Sequence, residues 1–347
     1  MIKRIAFFGL GFVLWLQGVA CLVLLKSYIV IIIFLYVFLP LLFHYCECVK
    51  THLIFLPFVR WPRNIDFRRP ERLELNGTRN FYLQTEDNIS LGVWHILPLS
   101  MVEKGDKSEN EYIESLQSSH RIVIYMHGNT ASRAGPHRVE LYKVLRALDY
   151  HIITFDYRGY ADSTWQQPSE DGVVSDAKAV YRWVASHAGE TPIFIWGHSL
   201  GTGLLKLKTN FLSTGESFRG LILESPFNNM KDELRNHPMA SIYRKMPFFD
   251  WLFLGGLSKS RLEFESSRHI LKVNVPVLIL HAEDDLVVPY ILGVKLYEHA
   301  KKNRPREYPP LMFVKFDSEL GHGHRYICRS PHLPSIIRSG FMQGTVF

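Results

Sequence analysis

Hydrophobic and polar positions change rhythm three times along this chain. Residues 5–43 are almost continuously apolar, interrupted mainly by Gln17 and Lys26. As one helix such a run extends about 58 Å, nearly twice the roughly 30 Å of a bilayer core. The pattern predicts either one spanning helix with an apolar preamble or two short helices broken near Lys26-Ser27. Ser27–Phe43, with Pro40 near its end, is the purer span. A signal peptide has an apolar core of only about 7–15 residues followed by a small-residue cleavage site, which fits less well. We therefore read residues 1–45 as a membrane anchor and 46–78 as a linker.

From Arg79 to Pro98 the alternation predicts one or two strands, with Asp87-Asn88 as the turn. Residues 99–119 are polar and aperiodic and read as an exposed loop. Beyond them, short apolar runs alternate with amphipathic stretches. Ile122–Met126, His151–Phe155, Ile193–Trp196, Leu221–Leu223, Val277–Leu280 and Met312–Phe316 are the strand candidates. Residues 137–149, 173–187, 200–212 and 290–301 carry helical spacing; Val139, Tyr142, Leu145 and Leu148 make one such stripe. Strands apolar on both faces and separated by helices predict a mostly parallel central sheet with helices on both faces. Residues 79–340 form this domain, with a cap insertion at about 226–273 and a tail at 341–347. The insertion is rich in large apolar residues, among them Met239, Ile242, Phe248, Trp251 and Phe253. It reads as a helical cap, one side of which suits an acyl chain or the bilayer.

Composition narrows the classes. With 47% hydrophobic and 21% charged residues the chain is too apolar for disorder. Its four cysteines are no disulfide scaffold: Cys21, Cys46 and Cys48 lie in or beside the apolar end and leave Cys328 alone. The net charge of +7 contains no run of five basic residues. Its densest cluster, Arg60, Arg63, Arg68, Arg69 and Arg72, follows the anchor and suits phospholipid headgroups. No nucleic-acid module is present. Basic residues flank the span on both sides (Lys3, Arg4; Lys50, Arg60, Arg63), so the positive-inside rule does not choose an orientation. Two sequons, at Asn76 and Asn88, favour a lumenal or extracellular body.

Ligands of such sheets bind beyond the carboxyl ends of the strands. There the chain reads Gly197-His198-Ser199-Leu200-Gly201, between a strand and a helix. In that context G-x-S-x-G is a turn that lifts a serine hydroxyl above the sheet, at a helix N-terminus that favours negative charge. A serine nucleophile needs a base, and the base an acid that orients it, in the chain order Ser, acid, His. Asp284 and Asp285 follow one later strand; His322 and His324 follow the next. Spacing alone does not choose within either pair. The other aspartate would be solvated or cap a helix, and the other histidine would be surface decoration. Glu224 is a runner-up acid, and Ser225 reads as a turn residue. For the oxyanion, the backbone N–H groups of Leu200 and Asn129 are the candidates, Asn129 because it follows His127-Gly128 after the first buried strand. His151 and Asp156 match an H-x4-D spacing, but residues five apart on a strand face opposite ways. No cofactor or metal is implied by any ligand spacing.

Several longer strings point further: Gly92–His95, His137–Tyr142, Phe155–Gly159, Trp196–Gly203, Leu223–Phe227, His281–Pro289, Leu320-Gly321 and His324–Ile327. With them the stretch from Leu53 to Pro334 resembles the family of membrane-bound α/β-hydrolase domain-containing protein 12, lysophosphatidylserine and monoacylglycerol lipases. The resemblance implies the α/β-hydrolase fold, a lipid substrate, a single span and a lumenal body at the endoplasmic reticulum membrane, glycosylated near Asn76. It also implies Ser199, Asp285 and His324 as the triad. Two departures stand out: Leu204-Leu205-Lys206-Leu207-Lys208 replaces small and β-branched residues, and Gly340 interrupts the last helix. A protein acyl-thioesterase would use the same triad, and a non-catalytic hydrolase-fold binding protein is the reading from another class.

Overall fold

The computed structural model describes residues 2–102, 107–205, 218–338 and 341, with side chains from residue 15 onward. Its centre is an eight-stranded sheet ordered β1-β2-β4-β3-β5-β6-β7-β8. The strands are β1 (Thr78–Gln84), β2 (Ser90–Ile96), β3 (Ile122–Met126), β4 (His151–Phe155), β5 (Ile193–His198), β6 (Gly220–Glu224), β7 (Val277–Ala282) and β8 (Leu311–Phe316). β1/β2 and β2/β4 pair antiparallel, and every other pair is parallel. This is the α/β-hydrolase architecture expected above.

Every residue of β3 through β7 is buried, as strands covered on both faces must be. Alternate residues serve different layers. On β3, Ile122, Ile124 and Met126 join a core with Val173, Ala177, Val180 and Val184 of helix Glu170–His187, and Leu292 and Leu296 of helix Tyr290–Asn303. Val123 and Tyr125 face the other way, onto Val139, Tyr142 and Leu145 of helix Pro136–Ala147.

Two local readings differ, and of the two alternatives for the apolar end the single helix is the one observed. The stretch expected as loop contains a helix, Glu109–Ser115, started by a capping box in which Ser108 and Glu111 satisfy each other's backbone N–H groups. The S-x-x-E signal was in the sequence without apolar periodicity behind it. The anchor is helical from Ile2 to Tyr45, with a π turn at Phe34–Phe38 and no break at Lys26-Ser27. Ser27 keeps its hydroxyl on the Val23 carbonyl (2.9 Å) and leaves the helix intact. One helix, Trp15–Tyr45, is long and apolar enough to cross a membrane. Finally, residues 46–78 contain the helix Glu47–Phe55 and bury Ile54, Phe55 and Leu75 against the body. The expected helix 200–212 is described as far as Leu205; Lys206, Leu207, Lys208 and Gly340 lie outside the described residues.

Candidate active site

β5 ends in the elbow. Ser199 has φ +54°, a left-handed conformation that costs a non-glycine residue energy and persists only where its surroundings enforce it. The flanking glycines supply that enforcement. A Cβ on Gly197 would lie 2.6 Å from the Gly201 carbonyl oxygen, and one on Gly201 would lie 2.2 Å from that of Met126. Only hydrogen fits at either place. The turn continues into the short helix Ser199–Leu205, where the Thr202 hydroxyl donates to the Ser199 carbonyl (2.6 Å).

The loops after β7 and β8 bring an aspartate and a histidine together. His324 Nδ1 lies 2.8 Å from Asp285 Oδ2, and its ring centroid 4.9 Å from that of His198, the neighbour of Ser199. With Nδ1 donating to a carboxylate, Nε2 is left as the basic nitrogen. The His324 carbonyl accepts from His198 Nε2 (2.8 Å), which fixes the His324 backbone to the elbow.

Asp285 is buried, with Oδ1 accepting from the Val287 and Val288 N–H groups (both 2.9 Å). Burial alone would raise its pKa. The charge of His324 and hydrogen bonds from His281 and His324 outweigh burial and hold the carboxyl well below the usual range. His281 Nε2 lies 3.4 Å from Asp285 Oδ2 and 3.0 Å from the Val288 carbonyl. The ring has room only because residue 293 is glycine; a Cβ there would sit 2.2 Å from His281 Nδ1.

The residues left over in each pair have other work. Asp284 is half-buried and caps no helix: its Oδ2 accepts from the N–H of Gly323 (2.9 Å), where φ is +53°. It thereby shapes the loop that carries His324. His322 is buried with its ring against Phe316, not on the surface. Glu224 accepts from Trp196 Nε1 (2.8 Å), and burial pushes its carboxyl up to about 7. Ser225 is a turn residue at φ +50°. His151 is bonded to His95 (3.0 Å) at the opposite end of β4 from Asp156.

The loop after β3 touches the elbow: a Cβ on Gly128 would lie 3.2 Å from Ser199 Cβ. Arg138, fully buried, binds the carbonyls of Ser132 (2.5 Å), Thr130 (2.7 Å) and Gly128 (3.4 Å) with its guanidinium. These bonds to alternate carbonyls fix the course of the loop that carries Asn129. Asp156 holds the next turn through the N–H of Arg133 (2.7 Å) and contacts His127 Nε2 (3.3 Å). Sequence patterning assigns no role to Arg138 or His281, and offers Asp284 only as an alternative acid. Arg138 carried a signal, an arginine two residues into an otherwise amphipathic helix, but nothing local said what it would bind.

The insertion is helical in short pieces, including Met230–Asn236, Pro238–Ile242 and Asp250–Gly255. Phe249, Leu252 and Phe253 are buried with Phe43 of the anchor, while Met239, Ile242, Phe248 and Trp251 are exposed. Glu233, on the first piece, is buried with Oε2 unpartnered; burial first, then the charge of Asp285, pushes it up to about 8. Among the described residues no three His, Cys, Asp or Glu side chains are grouped to hold a metal.

Comparison with known proteins adds a lineage to this geometry. The family described as serine aminopeptidase, S33, matches residues 117–267. The chain is 44% identical over 315 residues to lysophosphatidylserine lipase ABHD12 of Danio rerio, covering 90% of this chain and 82% of that protein. To protein ABHD12B of Homo sapiens it is 36% identical over 305 residues, covering 87% and 81%. Among solved structures, esterase Pf2001 of Pyrococcus furiosus superposes with a TM-score of 0.54 at 20% identity, covering 80% of this chain and 91% of that one. That likeness is one of fold.

Proposed function

The chain belongs to the family of the ABHD12 lysophosphatidylserine lipases and is a serine ester hydrolase, and from that premise we propose a membrane-anchored lipase. It cleaves the acyl ester of lysophospholipids, lysophosphatidylserine above all, and of monoacylglycerols. The observation that carries this reading is the His324–Asp285 contact beside a serine held at positive φ on a strand–helix elbow.

In the proposed reaction His324 Nε2 takes the Ser199 hydroxyl proton as Oγ attacks the ester carbonyl. The N–H groups of Leu200 and Asn129 bind the oxyanion of the tetrahedral intermediate. Asp285, held ionised by its partners, keeps Nδ1 protonated and stabilises the imidazolium. As the intermediate collapses, the imidazolium returns its proton to the departing glycerol oxygen, leaving an acyl-serine. A water, deprotonated by the same nitrogen, then attacks the acyl carbonyl and releases the fatty acid, and the proton returns to Ser199.

The substrate's surroundings fit a lipid. The exposed apolar residues of the cap adjoin a helix long enough to span the bilayer, and the Tyr36 and Tyr243 rings lie 6.0 Å apart. A chain drawn from the membrane reaches the cap without crossing water. Asn76 and Asn88 are both exposed, as glycan acceptors in a lumenal body at the endoplasmic reticulum must be; loss of an endoglycosidase-sensitive shift in Asn76→Gln tests that orientation.

The test of the function is turnover by membranes carrying the full chain. Fatty acid release from lysophosphatidylserine and monoacylglycerol, abolished in Ser199→Ala, is expected. Turnover of acyl-thioesters but not of these lipids would replace the reading with a thioesterase, and turnover persisting in Ser199→Ala would remove the triad.

A further inference from the structure

The segment between anchor and body is bonded into the oxyanion loop. Helix Glu47–Phe55 ends at Leu56 in the left-handed region (φ +47°), and the next residues lie along the loop after β3. The Ile54 carbonyl accepts from the Asn129 side-chain amide (3.1 Å). The Phe55 carbonyl accepts from the Tyr160 hydroxyl, whose oxygen also lies 3.2 Å from the Asn129 carbonyl. The Val59 carbonyl accepts from the N–H of Ala131 (2.9 Å), itself at φ +61°. Asn129, directly and by way of Tyr160, and Ala131 thus end on one short piece of backbone.

The same piece is tied to the cap. Lys50, 2% exposed, donates to the Gly256 carbonyl (3.1 Å) and pairs with Glu47 (2.9 Å). Just before it, His44 Nδ1 bonds the Leu252 carbonyl (3.1 Å) and stacks on Trp251 (4.4 Å). Phe55 packs edge-on against Phe264 (6.0 Å). Burying an ammonium and leaving an alanine at positive φ are both costly, and a mere tether needs neither.

We propose that residues 47–59 are a positioning strap of the active site, holding the Asn129 N–H where the oxyanion forms and the cap beside it. The inference rests on the reading of Asn129 as an oxyanion donor. Such a donor acts through preorganisation, so a loop released from the strap stabilises the transition state less while binding substrate as before.

Two experiments on the full membrane-bound chain test it. The first compares Tyr160→Phe and Asn129→Ala, which cut the ties and keep the Asn129 backbone N–H, with Leu99→Ala, an exposed side chain outside the strap and the loop it holds. Turnover of lysophosphatidylserine and of a short soluble ester is counted per fluorophosphonate-titrated site, so misfolded protein drops out. A roughly tenfold fall in kcat on both esters, with KM within about twofold, is expected for each tie variant, a fraction of the 10²–10³ lost with a donor itself. The double variant should lose little more than either single one, and Leu99→Ala should match the parent. Unchanged kcat in both tie variants, or raised KM alone, overturns the proposal.

The second experiment needs no change to the ties. A protease site inserted between Arg63 and Asn64, both exposed, is cut in membranes made permeable to the protease. The body is expected to stay with the membrane, active, through the strap's contacts. Release of the body with loss of kcat would also support the strap; release with kcat intact contradicts it. Turnover surviving Ser199→Ala would instead strike the assigned triad, so the two failures are distinguishable.

Discussion

The two sides of this active site are built in different ways. On one side Ser199, Asp285 and His324 stand in the connections that leave the carboxyl ends of strands of the parallel sheet, and the supports of the first two are near in sequence: Gly197 and Gly201 for the serine, Val287 and Val288 for the aspartate. On the other side the loop 127–132 depends on Arg138 in a following helix, Asp156 and Tyr160 beyond the next strand, and carbonyls at 54, 55 and 59. The side proposed to carry the triad is a product of topology, whereas the side proposed to bind the oxyanion is a product of tertiary contacts. Changes on the first should abolish chemistry; changes on the second should grade it.

The largest effect should come from Asp285→Asn. The amide still fills the space but no longer imposes the right tautomer on His324, and kcat should fall about 10⁴-fold, as amide replacement does in triads generally. Single-turnover rates with lysophosphatidylserine check it. A loss of only a few fold would hand the acid's role to Glu224.

Next is Arg138→Met. Removing the guanidinium leaves three carbonyls, two of them buried, without this donor and frees the loop, for an expected loss of about 10² in kcat. Arg138→Lys should recover only part, because one ammonium cannot reproduce the planar fork. Full recovery by lysine would mean that charge, not shape, is what the loop requires.

Asp284→Ala should cost roughly tenfold, since it releases the Gly323 N–H and with it the approach of His324, while leaving Asp285 in place. A loss as large as that of Asp285→Asn would make the two aspartates one functional unit.

The smallest kinetic effect belongs to Glu233→Gln, within about twofold at pH 7, with the main change in stability against pH. The folded carboxyl titrates at about 8, above its unfolded value, so the native state holds a proton that the unfolded chain has already released. Stability from this group is complete below the unfolded value near 4.5 and is lost as pH rises through about 8. The amide has no proton to lose, so the parent's melting temperature should fall more steeply between pH 5 and 8 than the variant's. Parallel curves would contradict the buried, protonated state.

The same contrast explains what could be read in the sequence. The strands were legible because burial on both faces demands unbroken apolar runs, and β3 and β4 coincide with the runs Ile122–Met126 and His151–Phe155. The positions of the site candidates followed from strand–turn–helix context, and the choice of Asp285 and His324 over their neighbours came from family resemblance, not spacing. The structure brings Asp285 and His324 together, while giving Asp284 a backbone contact that spacing could not foresee. The strap was illegible because its bonds use main-chain carbonyls, which every residue has; residues 46–78 therefore looked like a linker. Lys50 was counted with the basic residues flanking the span, although it is buried. A helix at Glu109–Ser115 escaped because its capping box, rather than an apolar face, marks where it starts.

The measurement that bears most directly on the account is peptide mapping by mass spectrometry after fluorophosphonate treatment of the full-length protein in membranes. The account predicts one phosphonyl adduct, on Ser199, formed at a rate that collapses in Asp285→Asn and His324→Ala. An adduct on another residue, or labelling of Ser199 at the parent rate in those variants, would contradict it.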